Sequence, residues 1–219
     1  MSAQLIDLSQ SPSLINPIVA ELRDVHVQGD PLRFRRNIER LGMLMGYEIS
    51  RTLAYAKQAV PTPLGEASVP MLRQQPVLAT VLRAGLPLHA GLLEVFDRAD
   101  NAFVSAYRKH EDGSDAFEVE IEYLASPDLN GRTLILCDPM LATGSSMVLA
   151  WEALQARGSP SELHVVAVIA SRQGVDTLCA ALPAHATLWV AAIDDTLNDQ
   201  AYIVPGLGDA GDLAFGEKL

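Results

Sequence analysis

Cysteine is nearly missing from this chain. Only Cys137 and Cys179 occur among 219 residues, each in apolar surroundings (LILCDP and TLCAAL). A disulfide framework is excluded, and two buried free thiols in a reducing, cytoplasmic compartment are expected. Basic residues are also scarce: 16 Lys and Arg face 27 Asp and Glu, a formal net charge of −11. That balance argues against a nucleic-acid surface, which displaces counterions with clustered cations. No apolar run is long enough to span a bilayer, so no membrane segment is expected. The opening stretch, Met1 to Gln10, lacks a basic patch followed by an apolar core, so no secretory signal is expected. The five histidines are scattered without metal spacing. Internal repeats, low-complexity stretches and long linkers are absent as well.

What is present is a globular composition, with 49 % hydrophobic residues. This length suits one α/β domain spanning 1–219 with a substantial core. Asp30 and Pro31 form an N-cap and first-turn pair, and Leu32, Ile38, Leu41, Leu44 and Met45 follow helical spacing. The pattern predicts a long helix from Pro31 to about Lys57. Val60 to Pro70, broken by proline and glycine, predicts a loop or hairpin. Pro76–Leu82 is a continuous apolar strand, then Arg83-Ala84-Gly85 leads into a helix from about Leu86 to Phe96. Ala102–Tyr107 is a second strand. Phe117–Tyr123 alternates strictly, with Glu118, Glu120 and Glu122 on one face, and predicts an exposed antiparallel strand. Thr133–Cys137, Leu163–Ala170 and Thr187–Ile193 are further strands. Helices are expected from about Ser145 to Arg157 and from about Val175 to Leu182. Apolar strands alternating with helices predict an α/β fold, a parallel sheet core flanked by helices, with ligands at the carboxyl ends of the strands.

Two loops carry chemistry. In the first, the apolar strand ending at Cys137 runs into Asp138-Pro139-Met140-Leu141-Ala142-Thr143-Gly144-Ser145-Ser146. Gly144 permits a backbone turn that a side chain would obstruct. Thr143, Ser145 and Ser146 add hydroxyls beside free helix N–H groups, a cup suited to a monophosphate. Asp138 can accept sugar hydroxyls. The plainer alternative is a helix capped by Thr or Ser. In the second loop, Gly206-Leu207-Gly208-Asp209-Ala210-Gly211 matches the dinucleotide pattern G-x-G-x-x-G. That reading needs a following helix and an acid about twenty residues on. Only Asp212 to Leu219 follow, so no dinucleotide site is expected. A loose glycine-rich tail is the other alternative, opposed by the apolar Tyr202, Leu213 and Phe215.

The first loop resembles the phosphoribosyl pyrophosphate (PRPP) loop of the type I phosphoribosyltransferases. Its Asp-Pro-Met-Leu-Ala-Thr-Gly run is similar to the uracil phosphoribosyltransferase branch, with Pro139 in place of the second acid and Ser145 where glycine is usual. Tyr202 to Asp212 resembles the uracil loop of that branch, in which main-chain groups read the base. Leu82-Arg83-Ala84-Gly85 resembles its pyrophosphate loop, and Tyr107-Arg108 its Tyr-Arg pair. The resemblance covers about Pro31 to Gly216. It implies a type I phosphoribosyltransferase fold with a small hood and an antiparallel hairpin, and joining of uracil to PRPP to give UMP and pyrophosphate. Arg83, Asp138 and Asp209 are implied as catalytic. Arg83, Arg108, Asp138 to Ser146 and Asp209 are implied for PRPP, and Ile203, Gly208, Asp209 and Ala210 for uracil. Mg²⁺ bound with PRPP is implied as cofactor, a homodimer or higher homo-oligomer as the assembly, and GTP as an effector, with no site for it legible. Arg33, Phe34 and Arg35 also match the family, although a solvated helix face serves equally. Asp194-Asp195 is read as a solvated acidic loop. The alternatives are a phosphoribosyltransferase for another nucleobase, or a regulator of the same fold that binds RNA without catalysis.

Overall fold

Strand residues that are apolar at every position need cover on both faces, and the central sheet shows how this chain supplies it. The structure, a computed structural model, describes the backbone of residues 3–110 and 117–217, and the side chains of these apart from 106–110 and 117–121. The chain opens with strand β1 (Gln4–Asp7), then helices α1 (Ile15–Arg23) and α2 (Pro31–Ser50). A hairpin follows, β2 (Tyr55–Thr62) and β3 (Gly65–Leu72). Next come β4 (Val77–Leu82), α3 (Leu86–Val95), β5 (Asp100–His110), β6 (Phe117–Ala125), β7 (Thr133–Cys137), β8 (Met140–Leu141) and α4 (Ser145–Gln155). The last third holds β9 (Glu162–Ser171), α5 (Arg172–Ala181), β10 (Ala186–Asp194), β11 (Thr196–Leu197), β12 (Ile203–Val204) and α6 (Ala210–Phe215).

The main sheet runs β1-β10-β9-β7-β4-β5-β6, with β8 paired to β9. Every pairing is parallel except β5–β6. Period-two alternation splits each central strand between two cores. Ile135 and Cys137 of β7, with Val166 and Val168 of β9, face α1, α2 and α3. Leu134 and Leu136, with Val165 and Ala167, face Met147, Ala150, Trp151 and Leu154 of α4 and Val175 and Leu178 of α5. The predicted parallel sheet with helices on both faces is therefore present, as is the antiparallel edge strand at Phe117. Over the carboxyl ends lie β11–β12 and α6, the small hood.

One long element differs from expectation. Asp30 caps α2 as predicted, accepting from the N–H groups of Leu32 and Arg33 at 2.9 and 3.2 Å, but the helix stops at Ser50 and does not reach Lys57. The Ser50 and Thr52 hydroxyls bond the Tyr47 and Ile49 carbonyls, competing with continuation of the helix. The chain then turns into the hairpin, whose register runs from Tyr55 opposite Leu72 to Thr62 opposite Gly65. The buried stripe of α2 is Phe34, Ile38, Leu41, Met45 and Ile49, while Leu32 is exposed. The sequence reading also passed over β1, α1, β8, β11, β12 and α6, all short or irregular in pattern. Cys137 is buried as expected, whereas Cys179 is only half-buried, and both thiols are free. No helix among the described residues is long and apolar enough to cross a membrane.

Candidate active site

Strands β4 and β7 are neighbours, yet their helices leave in opposite directions. α3 packs on the same side as α1 and α2, and α4 packs on the other. A crevice must open where the connections diverge, at the carboxyl ends of the strands. A cleft of about 780 Å³ lies there, within the usual range for a small-molecule site, about 300–1,000 Å³. Its wall combines Leu82–Ala84, the 138–147 turn and the segments 200–202 and 208–211. Three stretches distant in sequence thus meet around one space.

The 138–147 turn enters α4 through a glycine. Gly144 occupies the position before α4 with φ +88°, and no side chain caps the helix there. An added Cβ would lie 3.1 Å from the Gly174 carbonyl oxygen and 3.2 Å from Thr177. Glycine is therefore required both for the left-handed backbone and for the close approach of α5. The Ser145 N–H donates to the Thr143 hydroxyl at 3.4 Å, and the start of α4, where the helix dipole favours negative charge, borders the cleft through Gly144 and Ser146. Thr143 and Ser145 share a hydroxyl hydrogen bond of 3.1 Å, and Thr143, Gly144 and Ser146 line the cleft. The turn is braced from below. The Ser171 hydroxyl donates to the Ala142 carbonyl at 2.5 Å and accepts from the Gly174 N–H at 2.8 Å. Ser171, fully buried, was not foreseen from sequence; its position at a strand end three residues before a helical glycine is the signal that could have found it.

Among the described residues of the cleft wall, Arg83 is the only cation. The Leu82–Arg83 peptide is cis. The guanidinium reaches across to the hood, donating to Asp212 Oδ1 at 3.1 Å and to the Gly216 carbonyl at 2.7 Å. Its Nε is buried with no hydrogen-bond partner among the described residues. β5 carries Arg108 beyond Ser105, which pairs with Leu82; the Arg108 side chain lies outside the described residues. Cys137 precedes Asp138 but is no nucleophile. Burial first, and the Asp138 charge in addition, push its thiol up to about 12.

The hood supplies the opposite wall. Asp209 lines the cleft and caps α6, its Oδ1 accepting from the Asp212 N–H at 3.0 Å. Arg35 of α2 donates to the Ala214 carbonyl at 2.6 Å, so this side chain fixes α6 and is not merely part of a solvated face. Arg33 pairs with Glu21 on the surface at 2.7 Å, and Phe34 is buried. The solvated reading of Asp194 is wrong: it is 8 % exposed and bound to Arg23, whereas Asp195 is exposed. The cleft gathers Arg83, Asp138, Met140, Leu141, Ala142, Thr143, Gly144, Ser146, Gly208, Asp209 and Ala210. Pro139, Ser145 and Ile203 are not part of its wall; Pro139 and Ile203 are buried, and Ser145 is exposed. Ser105, Met147, Gln200 and Gly211 line it without having been singled out.

Comparison with known proteins identifies the family. The sequence profile of the family described as "Uracil phosphoribosyltransferase" matches residues 9–217. A uracil phosphoribosyltransferase from Porphyromonas gingivalis is 54 % identical over 216 residues, covering 99 % of this chain and all of the relative. One from Methanothermobacter thermautotrophicus is 42 % identical, covering 92 % and 93 %. Among solved structures, the AQ2163 protein from Aquifex aeolicus superposes with a TM-score of 0.86 at 29 % identity, over 97 % of this chain and 98 % of that one. A hypoxanthine phosphoribosyltransferase from Staphylococcus aureus shares the fold alone, with a TM-score of 0.50 at 14 % identity over 84 % of each chain. The profile match and the near-full-length relatives establish that this chain belongs to the uracil phosphoribosyltransferase family.

Proposed function

We propose that the chain transfers the ribose 5-phosphate of PRPP to N1 of uracil, forming UMP and releasing pyrophosphate. The observation that carries this reading is the single cleft lined jointly by the 138–147 turn, Arg83 and the 208–211 loop. In it the 5-phosphate sits on Thr143, Gly144 and Ser146 at the start of α4. Asp138 accepts the ribose hydroxyls, and Met140, Leu141 and Ala142 flank the sugar phosphate. Pro139 and Ser145 act from behind, by shaping the turn. The bond from ribose C1 to the pyrophosphate oxygen breaks as the C1–N1 bond forms, and the N1 proton passes to solvent. Arg83 and Arg108 receive the departing pyrophosphate, two guanidiniums on adjacent strand ends. Positive charge building on the sugar ring is stabilised by Asp138 and Asp209. Positioning and electrostatics then account for catalysis without a histidine or glutamate base.

Uracil is read by the backbone. Its carbonyl, N3–H and second carbonyl match an N–H, C=O and N–H series offered around Gly208, Asp209 and Ala210, with Ile203 holding the loop's base. Cytosine reverses the first two positions and would leave buried groups unpaired, which supports discrimination of about 10⁴-fold. Among the described residues no cluster of three His, Cys, Asp or Glu forms a metal cage, while Asp138 and Asp209 stand in the wall. That donor set fits a Mg²⁺ ion bound with PRPP: Asp138 and Asp209 would hold it, and it would supply positive charge to the leaving pyrophosphate. The exposed Tyr47 on α2, and Leu64, Val69 and Met71 on the β2–β3 hairpin, support a homo-oligomer. The free thiols support a reducing, cytoplasmic setting.

The test is to mix the purified protein with PRPP, Mg²⁺ and a panel of nucleobases. Equimolar UMP and pyrophosphate with uracil alone is expected. No nucleotide, or preference for another base, overturns the reading. GTP added to the same assay tests for an effector.

A further inference from the structure

The loop assigned to the base is anchored by residues that do not touch the cleft. Arg23 ends α1, and Asp194 ends β10, strand and helix lying against each other in the same core. The guanidinium meets the carboxylate through two hydrogen bonds, Nη1 to Oδ2 at 2.7 Å and Nη2 to Oδ1 at 2.8 Å. Each partner also grips the same residue of the loop. Asp194 Oδ2 accepts from the Gly206 N–H at 2.9 Å, and Arg23 Nη1 donates to the Gly206 carbonyl at 3.0 Å. Gly206 is thus fixed at both its donor and its acceptor. It has φ +58°, and an added Cβ would overlap the Ile203 carbonyl oxygen, so the tight turn cannot slide to a neighbouring register. Two residues further on, Gly208 begins the stretch that lines the cleft.

We propose that Arg23 and Asp194 are positioning residues for the nucleobase: by clamping Gly206 they fix the orientation of the main-chain groups at Gly208–Ala210 that face it. The inference rests on the base-loop reading above and extends it to a pair outside the site. A bidentate guanidinium–carboxylate contact sets orientation as well as distance, which a single charge cannot do. Backbone recognition makes such a device necessary, since a misplaced peptide group cannot be corrected by a rotamer change. The phosphate turn has its own brace in Ser171, and the clamp's four hydrogen bonds join Arg23, Asp194 and Gly206 among themselves. Asp209 lies within the clamped stretch and Asp194 is the ladder partner of Ser171, so the clamp should act on both substrates, more strongly on uracil than on PRPP.

The experiment is steady-state kinetics of the full chain with uracil and PRPP varied separately, for wild type, Arg23→Ala, Arg23→Lys and Asp194→Asn, with folding checked by circular dichroism. The expected result is a rise in the KM for uracil of about tenfold or more in Arg23→Ala and Asp194→Asn, with a clearly smaller rise in the KM for PRPP. Arg23→Lys, keeping the charge but losing the fork, should fall between wild type and Arg23→Ala. Unchanged uracil KM in the folded variants, or equal rises for both substrates, overturns the clamp. If Asp194→Asn does not fold, the two Arg23 variants decide, because that side chain is partly exposed and its neighbours can rehydrate. A wild type that makes no UMP refutes the base-loop reading itself; a wild type that does, with variants that keep its uracil KM, refutes only the clamp.

Discussion

The phosphate turn and the base loop line the same cleft and are held in different ways. The turn from Asp138 to Ser146 is suspended between its own strand, β7, and its own helix, α4, and is tied to neighbouring β9 by the β8 ladder, by the Pro139 carbonyl, which accepts from Val168 and Ile169, and by Ser171. The base loop has a local frame in β11–β12 and in the Asp209 cap of α6, but it is also tied to remote parts of the chain. Its hydrogen bonds to Arg23, Arg35 and Arg83 span 183, 179 and 133 residues. The first wall of the site is formed by a strand–turn–helix unit and the next strand, β9; the second is also held by α1, α2 and the loop after β4. Local perturbations should therefore injure PRPP handling, and distant ones should injure base recognition.

Arg83 belongs to both walls, since it sits in one loop and holds the Asp212 side chain and Gly216 carbonyl of the other. Arg83→Ala should cause the largest loss, about 10²–10³-fold in kcat, as when a preorganised donor to developing charge is removed. Asp138→Asn should lose turnover of similar order, with circular dichroism unchanged. Wild-type-like kinetics in either variant would break the idea that the walls meet at the reacting atoms. Gly144→Ala comes next. It places a side chain at φ +88° and against α5, costing about 1–3 kcal/mol of stability. It should raise the KM for PRPP about tenfold or more, leaving that for uracil alone, the mirror image of the Arg23 variants. Ser171→Ala should cost about 1 kcal/mol as a lost N-cap and raise the KM for PRPP a few-fold, roughly as one hydrogen bond does; thermal unfolding and kinetics check the two halves.

The smallest effect separates the clamp from the core by pH. Burial favours the neutral form of Asp194, but the hydrogen bonds from Arg23 and Gly206 and the Arg23 charge outweigh it, and the carboxyl lies below its usual value of 3.8. Its folded value is below its unfolded one, so its contribution is complete above about pH 4 and is lost only as pH falls further. His89 and His164 differ. Burial holds both below the usual 6.5, and Trp189 Nε1–H donates to His164 Nδ1 at 3.1 Å, a bond that the charged ring cannot accept. The unfolded chain therefore binds more protons below pH 6.5, and stability declines as pH falls from 6.5 to 5. Tm measured over that range should decline in the wild type and less steeply in His164→Gln. A flat profile would contradict the burial argument.

How much of this was legible in sequence follows from the same contrast. The strand ending at Cys137, the glycine at 144 and the hydroxyls around it sit side by side, so the sequence suggests a phosphate cup beside the plainer capped helix, and the family resemblance favours the cup. The sheet was legible because its strands are apolar on both faces and its helices intervene at regular intervals. The C-terminal loop showed only its glycines, and a dinucleotide pattern that meant nothing. Asp194 looked like part of an acidic surface loop because its partner, Arg23, lies on a helix that was not recognised. Residues 51–57 continued a helical composition, and the stop at Ser50 is written in side-chain hydroxyls and in pairing with residues up to Leu72. Local periodicity does not report either kind of signal.

The most direct test is a crystal structure of the chain with uracil and a non-reacting PRPP analogue. The account predicts the 5-phosphate on the N–H groups that follow Gly144 and the base edge against the backbone of Gly208 to Ala210, both within the one cleft. Ligands bound apart from each other, or a base held by side chains elsewhere, would contradict it.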